Sequence, residues 1–286
     1  MRRGAKGKSG FCKGIEWQAR ATRCSIRGMN RDFAGKNIAV IGGTSGMGLA
    51  IARAVCAAGG RVAVLGRDDE HLAGARASLA GIVEAGDATA PDAAERLVKD
   101  AVKKFGALHG LAHVAGGSGR TFGDGPLQGL TGEGLQRTLE LNFHSVVWSN
   151  RAAVRAWLAQ GCGGSIVNIG SVLATAPAPR HFATIAYASA KAAVEGFTRS
   201  IAAAYAPHGI RANVLAPGLV DTPMSRRAAG SADIMEFVRL KQPLDGGRIG
   251  HPEDLTGAAL YFLSDASRFC TGQVLAVDGG WSVSGA

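Results

Sequence analysis

The sequence predicts a single doubly wound α/β domain built on a parallel sheet of about seven strands. Three observations predict it. Short apolar runs recur along the chain, each closed by glycine, proline or a polar residue. Helical stretches alternate with them about seven times. The runs are apolar throughout and do not alternate with polar residues, so such strands must be buried on both faces, under helices. A hydrophobic content of 47% with 42 glycines among 286 residues suits a compact, glycine-turned chain. No apolar run reaches the roughly 18 residues that span a bilayer.

Taken in order, Asn37-Ile38-Ala39-Val40-Ile41 reads as the first buried strand, followed by the glycine loop Gly42 to Gly48 and a helix from Leu49 to Ala58. Gly59 and Gly60 end that helix, and Arg61 to Gly66 form a second strand. A polar helix starts near Asp69, a weak third strand covers 82–86 and ends near Asp87, and 91–105 is helical with Leu97, Val98, Ala101, Val102 and Phe105 on one face. Leu108 to Ala115 is a fourth strand, broken by Gly116-Gly117-Ser118-Gly119. In the second half, 131–159 is largely helical, Ser165 to Ile169 is a strand, and Tyr187 to Ala206 is a helix stopped by Pro207-His208-Gly209. Ile210 to Leu215 is a strand closed by Pro217-Gly218. Residues 219–247 read as irregular with short helices, forming a mobile lid that includes Met224, Met235, Phe237 and Val238. Pro252 to Leu263 is a helix opened by proline and two acids, and Gln273 to Val277 is the last strand, before Asp278-Gly279-Gly280. No linker divides the chain, so 29–286 reads as one domain.

Residues 1–28 stand apart. They hold eight Lys/Arg against Glu16, and so carry +7 of the net +10. No apolar core of a secretory signal is present there. Three readings stay open: a disordered basic arm, a transit-type peptide, or a native start at Met29. Because the charge lies in this tail, the folded part is not expected to bind nucleic acid. The five cysteines, Cys12, Cys24, Cys56, Cys162 and Cys270, are scattered and odd in number, and no C-x-x-C or other ligand cluster points to a metal site. A reducing, cytoplasmic setting is the simple expectation.

Two constellations carry chemistry. The first is Gly42-x-x-x-Gly46-x-Gly48 between a strand and a helix, with Thr44, Ser45 and Met47 inside it. Glycine there permits a tight turn and close approach of a pyrophosphate to the helix N-terminus. The second strand ends about 20 residues later, where an acid favours NAD and an arginine favours the 2′-phosphate of NADP. Gly66 fills the acid position and Arg67 follows, which points to NADP. Asp68 keeps NAD possible. The second constellation is Tyr187 with Lys191 four residues on, one face of a helix, and Ser171 sixteen residues upstream of the tyrosine. An ammonium beside a phenol favours phenolate, so Lys191 is expected to lower the Tyr187 pKa for proton exchange with an alcohol or carbonyl. Ser171 lacks the G-x-S-x-G context of a hydrolase nucleophile.

In this order the motifs resemble those of the short-chain dehydrogenase/reductase family, in its roughly 250-residue form, over residues 35–284. The resemblance implies a Rossmann-type fold and reversible hydride transfer between a nicotinamide cofactor and a carbonyl or secondary alcohol, of the 3-oxoacyl or general carbonyl reductase kind. It assigns Asn142, Ser171, Tyr187 and Lys191 as the catalytic set, with Asn142 holding a water that links Lys191 to solvent and Lys191 bonding the nicotinamide ribose. It makes Asp87 the adenine contact, and it makes Ala115, Gly116, Pro217, Gly218, Val220 and Thr222 part of the cofactor site. Asp278-Gly279-Gly280 matches the family's C-terminal V-D-G-G. It also implies a homodimer or homotetramer through long helices. The gap between Ser171 and Tyr187 is slightly longer than the thirteen or so residues common in the family, so a loop with Pro177 and Pro179 bulges beside the site, where His181 and Phe182 are candidate pocket residues. Two departures occur: Ile41 replaces the threonine that opens the glycine motif, and His113-Val114-Ala115-Gly116 replaces N-N-A-G. An apolar contact of Ile41 with Val114 is expected, with His113 either a cofactor contact or a satisfied core histidine. Three other functions remain beside this one: an NAD-preferring dehydrogenase of a secondary alcohol, sugar or steroid, a cofactor-sensing regulator on the same fold, and nucleic-acid binding through residues 1–28.

Overall fold

The computed structural model describes residues 33–285; the expectations for 1–28 and for a start at Met29 lie outside them. The strands are β1 (Asn37–Ile41), β2 (Arg61–Gly66), β3 (Gly81–Ala85), β4 (Gly110–His113), β5 (Gly164–Ile169), β6 (Ile210–Pro217) and β7 (Val274–Val277). They form one seven-stranded sheet in the order β3-β2-β1-β4-β5-β6-β7, parallel at every pairing. The order reverses between β1 and β4, and the strands' C-terminal ends open a crevice there. The α-helices are α1 (Gly46–Ala57), α2 (Asp69–Ser78), α3 (Ala93–Phe105), α4 (Gly132–Leu139), α5 (Ser145–Gln160), α6 (Pro179–Phe182), α7 (Ile185–Tyr205), α8 (Arg226–Ala229), α9 (Ala232–Lys241) and α10 (Thr256–Leu263).

The uniformly apolar strands produce two cores. On one face Ile41, Leu65, Leu111 and Ile166 pack with Leu97 and Val98 of α3, Trp157 of α5 and Ile201 of α7. On the other face Ile38, Val40, Val64 and Val167 pack with Ile51 of α1, Ala75 of α2 and Phe262 of α10. Asn168 of β5 is fully buried yet paired: it exchanges hydrogen bonds with Asn150 of α5 at 2.9 and 3.0 Å and donates to Thr198 of α7 at 3.0 Å. That network ties α5 and α7 to the strand that ends just before Ser171. Among the described residues no helix is long and apolar enough to cross a membrane.

Four expectations change in detail. The fourth strand is shorter than Leu108–Ala115, because the N–H groups of Val114 and Ala115 both turn to the Ile41 carbonyl, at 2.8 and 3.0 Å. The long helix expected over 131–159 is broken by a π turn, Glu140–His144. The helix expected from Pro252 opens as a 3₁₀ turn, Pro252–Leu255, before α10. The lid segment 219–247 carries α8 and α9 and is anchored: Val238 is fully buried and Phe237 packs edge-on against Trp281.

The predicted Ile41–Val114 side-chain contact is not formed. Ile41 stands opposite His113 in the parallel register, so those two side chains share a face and Val114 points to the other. Ile41 belongs to one core and Val114 packs against the second.

Candidate active site

Every residue nominated above lies at the C-terminal ends of the strands. A cavity of about 480 Å³ opens there, lined by Gly42, Thr44, Ser45, Gly46, Met47, Arg67, Asp87, Ala115, Gly116, Asn142, Ser171, Tyr187, Lys191, Pro217, Gly218, Val220 and Thr222. Of the residues assigned to catalysis or to the cofactor, Gly48 alone lies outside the lining. A Cβ there would sit 2.0 Å from the Gly42 carbonyl oxygen, so Gly48 serves the packing of α1 against its own loop. Gly42 has φ +78°, and its Cβ would stand 2.6 Å from the Ala115 nitrogen. The two glycines thus leave a cradle where α1 begins, and no side chain caps the first N–H groups of that helix. Thr222 covers this cradle, since a Cβ on Gly46 would lie 3.1 Å from its methyl.

At the far end of the cradle, a side chain at Gly66 would meet Thr44 Oγ1 at 2.1 Å, which excludes an acid at that position. Arg67 and Asp68 both face the cavity, with their side chains 68% and 61% exposed. Asp68 is shared between His71, at 3.2 Å, and Arg67, at 3.8 Å. Asp87 commits Oδ1 to the Thr89 N–H and hydroxyl, at 2.9 and 2.8 Å, while the residue itself stays exposed at the rim. The donor set therefore fits a dinucleotide: free helix N–H groups at the cradle, and a cation and an acid at the adenosine end.

The chemistry-bearing residues meet at the opposite end. Ser171 follows β5 directly and accepts from the Leu173 N–H at 3.2 Å. Tyr187 and Lys191 lie on the first turns of α7 and are buried. Lys191 Nζ lies 5.7 Å from the centre of the Tyr187 ring and donates to the Ile169 carbonyl at 2.8 Å. Burial alone holds the ammonium down to about 8. Burial also pushes the Tyr187 phenol up, and a hydrogen bond with Ser171 offsets part of this. The expected lowering of the phenol by Lys191 is thus not seen. Both groups are desolvated, which disfavours phenolate and ammonium alike.

Asn142 sits in the π turn and is fully buried. Its amide is committed: Nδ2 donates to the carbonyls of Gly117 and Thr138, at 2.8 and 2.9 Å, and Oδ1 accepts from Gly117 N–H at 3.0 Å. It therefore locks the loop after β4 beside Lys191. His113 is a satisfied core histidine. Nδ1 meets Ser149 Oγ at 2.8 Å, and Nε2 meets the Ala115 carbonyl and Ser145 Oγ at 3.2 and 3.3 Å. Burial lowers its pKa to about 3, with the Lys191 charge adding to the effect.

Several residues of the site were not singled out by sequence. Asp124, buried in the loop after β4, accepts from the Ala186 and Tyr187 N–H groups at 3.0 and 2.9 Å. Thr184, at the N-cap of α7, provides no side-chain cap, so Asp124 caps that helix from 63 residues away. Trp281 lines the cavity and donates to the Ala176 carbonyl at 3.1 Å, fastening the loop that bulges before Tyr187. Gln242, also buried, holds Leu219 through both its amide atoms, at 2.5 and 3.3 Å. None of these has a local sequence signal. Of the two loop candidates, Phe182 faces the cavity, while His181 is turned against Phe237 at 4.8 Å between ring centres.

Comparison with known proteins agrees with this geometry. A family model described as enoyl-(acyl carrier protein) reductase matches residues 41–282. The chain is 35% identical over 254 residues to 2,5-dichloro-2,5-cyclohexadiene-1,4-diol dehydrogenase of Sphingobium indicum, covering 88% of this chain and 98% of the relative. It is 34% identical over 258 residues to cis-4-hydroxycyclohexanecarboxylate dehydrogenase of Sinomonas cyclohexanicum, covering 89% and 99%. A solved short-chain type dehydrogenase/reductase from Mycobacterium ulcerans superposes with TM-score 0.80 at 33% identity, covering 88% of this chain and 91% of the other.

Proposed function

The chain belongs to the short-chain dehydrogenase/reductase family and is an NAD(P)-dependent oxidoreductase acting on CH–OH groups; from that premise we propose that it works with NADP(H) on a cyclic secondary alcohol or the matching ketone, with Tyr187 as acid and base. The observation that carries the reading is the meeting of Tyr187, Ser171 and Lys191 at one end of a single cavity whose other end is the glycine cradle. The cyclic substrate class rests on the names of the two relatives.

The nicotinamide, when bound, supplies or accepts the hydride. Thr44, Ser45, Gly46 and Met47 would offer backbone N–H groups to the pyrophosphate, beneath Thr222. Arg67 would hold the 2′-phosphate, since its exposed guanidinium has only a long contact with Asp68 to give up. Asp87 would contact the adenine. Ala115, Gly116, Pro217, Gly218 and Val220 shape the floor and wall around the ring. Lys191, which now donates to the Ile169 carbonyl, would hold the ribose hydroxyls, and its charge lies beside the phenol. Tyr187 gives its proton to the developing alkoxide in reduction, or removes it in oxidation. The Ser171 hydroxyl donates to the same oxygen. The Asn142 side chain is spent on Gly117 and Thr138, so a relay water beside Lys191 would have to be held by a backbone group and not by the amide. A cofactor sensor would have no use for this set. We also read α5 and α7 as subunit-facing helices of a homo-oligomer, and the cysteine usage as cytoplasmic.

The cofactor choice is tested by kcat/KM for NADPH and NADH. The native protein prefers NADPH, and Arg67→Ser lowers kcat/KM for NADPH by about tenfold or more, the scale of a lost charge-assisted phosphate contact. A native preference for NADH rejects it and favours the NAD-linked dehydrogenase reading, with Asp68 on the ribose.

A further inference from the structure

The reacting end of the cavity is walled by the loop after β4, the loop after β5, the segment leading into α8, and Trp281. Most of this wall is apolar: Phe122, Leu173, Phe182, Met224 and Trp281. Two cations interrupt it, Arg120 and Arg227. The only carboxylate side chains in the lining, Asp68 and Asp87, lie at the adenosine end. Arg120 is half-buried, and its one side-chain hydrogen bond among the described residues goes to the His181 carbonyl at 3.1 Å, on the loop that precedes Tyr187. The bond places Arg120 at the substrate side and leaves its other N–H groups free.

Three other arginines of this region are neutralised. Arg180 pairs with Asp233, Arg239 with Glu236, and Arg248 with Asp245 and Asp254. Among the described residues neither Arg120 nor Arg227 forms such a pair; Arg226 is also without one but lies outside the lining. The acid nearest in sequence to Arg120, Asp124, has both carboxylate oxygens occupied by the N–H groups of α7. Two such guanidinium groups on one wall repel each other; burial and that repulsion hold the Arg120 pKa down, against the opposing pull of the Asp124 charge. Arginine's planar fork matches a carboxylate, and an anion between two forks relieves the repulsion.

We propose that Arg120 and Arg227 form an anion subsite that binds a carboxylate carried by the substrate, away from the reacting carbinol carbon. The carboxylate takes no part in the redox step. The assignment rests on the oxidoreductase reading of the same cavity and adds to it the charge of the substrate.

The test compares reduction by NADPH of 4-oxocyclohexanecarboxylate with that of its neutral methyl ester, in the native protein and in Arg120→Met, Arg227→Met and Arg120→Lys. The native protein prefers the acid by about tenfold or more in kcat/KM, and each Met variant removes that preference through KM while the ester stays within about twofold. Arg120→Lys keeps part of the preference, because charge survives while the fork is lost. Equal use of acid and ester by the native protein overturns the proposal. So does a parallel loss on both compounds in the variants, which marks a structural role. If Arg227→Met weakens NADPH binding and leaves the acid-to-ester ratio intact, Arg227 serves the cofactor pyrophosphate and the pair is rejected. Should neither ketone react, calorimetry of the NADP-loaded protein with cyclohexanecarboxylate and cyclohexanecarboxamide decides. Arginine-dependent preference for the carboxylate supports the subsite and counts against the proposed ketone class alone, whereas equal or no binding rejects the subsite.

Discussion

The two ends of the cavity are built by different means. The cofactor end is backbone: the glycines of the β1–α1 turn, the close approach of Ala115 to Gly42, and a helix N-terminus. Its partners are near in sequence or adjacent in the sheet. The substrate end is made of side chains that reach across the chain. Asp124 holds Tyr187 over 63 residues, Arg120 holds His181 over 61, and Trp281 holds Ala176 over 105. A backbone cradle has few solutions, and all need glycine at set spacings. A wall of long-range side-chain contacts can be rebuilt in many ways, so it is where one chain differs from its relatives in what it accepts.

The largest effect that sharpens this contrast falls on Lys191, which stands between the two ends. Its pKa is lowered to about 8 by burial, so it is cationic below that pH and neutral above it. Reductive kcat/KM is therefore expected to be flat on the acid side and to fall by about tenfold per pH unit above the midpoint. Lys191→Arg, whose charge persists past pH 12, should remove that limb even where its turnover is low. A native profile flat to alkaline pH contradicts this role.

The next effect isolates the substrate end. Asp124→Ala frees two buried N–H groups, at a cost of about 1–3 kcal/mol each. We expect kcat to fall by about tenfold as Tyr187 shifts, within the range set for misplaced catalytic groups, with NADPH affinity unchanged by fluorescence titration. Asp124→Asn, whose amide oxygen still accepts, should recover much of the loss. Equal losses of cofactor affinity and turnover would dissolve the distinction between the ends.

The smallest effect concerns His113, beside the cofactor end yet structural. Its folded pKa, about 3, lies below the ordinary 6.5, so the unfolded chain binds a proton first as pH falls. Stability from this group is complete above about 6.5 and is lost as pH drops towards 3. Urea midpoints at neutral and mildly acid pH should converge in His113→Asn relative to the native protein. Identical acid sensitivity in both would show that His113 is not the group responsible.

The same contrast explains what the residues alone disclosed. Uniformly apolar strands demand a sheet covered on both faces, and the sheet formed with all seven strands parallel. The glycine spacing and the Tyr187–Lys191 step are local and were legible, although Gly48 proved to pack the turn and not to line the cavity. Alternating side-chain direction sent Ile41 and Val114 to opposite faces, a consequence of register that sequence adjacency conceals. The π turn around Asn142 has no period of its own. Asp124, Gln242 and Trp281 carry no motif, because a capping contact between distant loops imposes no spacing on the chain. The direction of the Tyr187 pKa was misjudged for a related reason: the neighbouring charge is visible in the sequence, and the burial that outweighs it is not.

The most direct test of the account is Tyr187→Phe, with ketone reduction followed at the nicotinamide absorbance and NADPH binding followed by fluorescence in the same preparation. Loss of the general acid predicts turnover down by about 10²–10⁴-fold, with NADPH affinity within about twofold of native. Turnover retained within about tenfold would contradict Tyr187 as the proton donor and, with it, the central reading of this site.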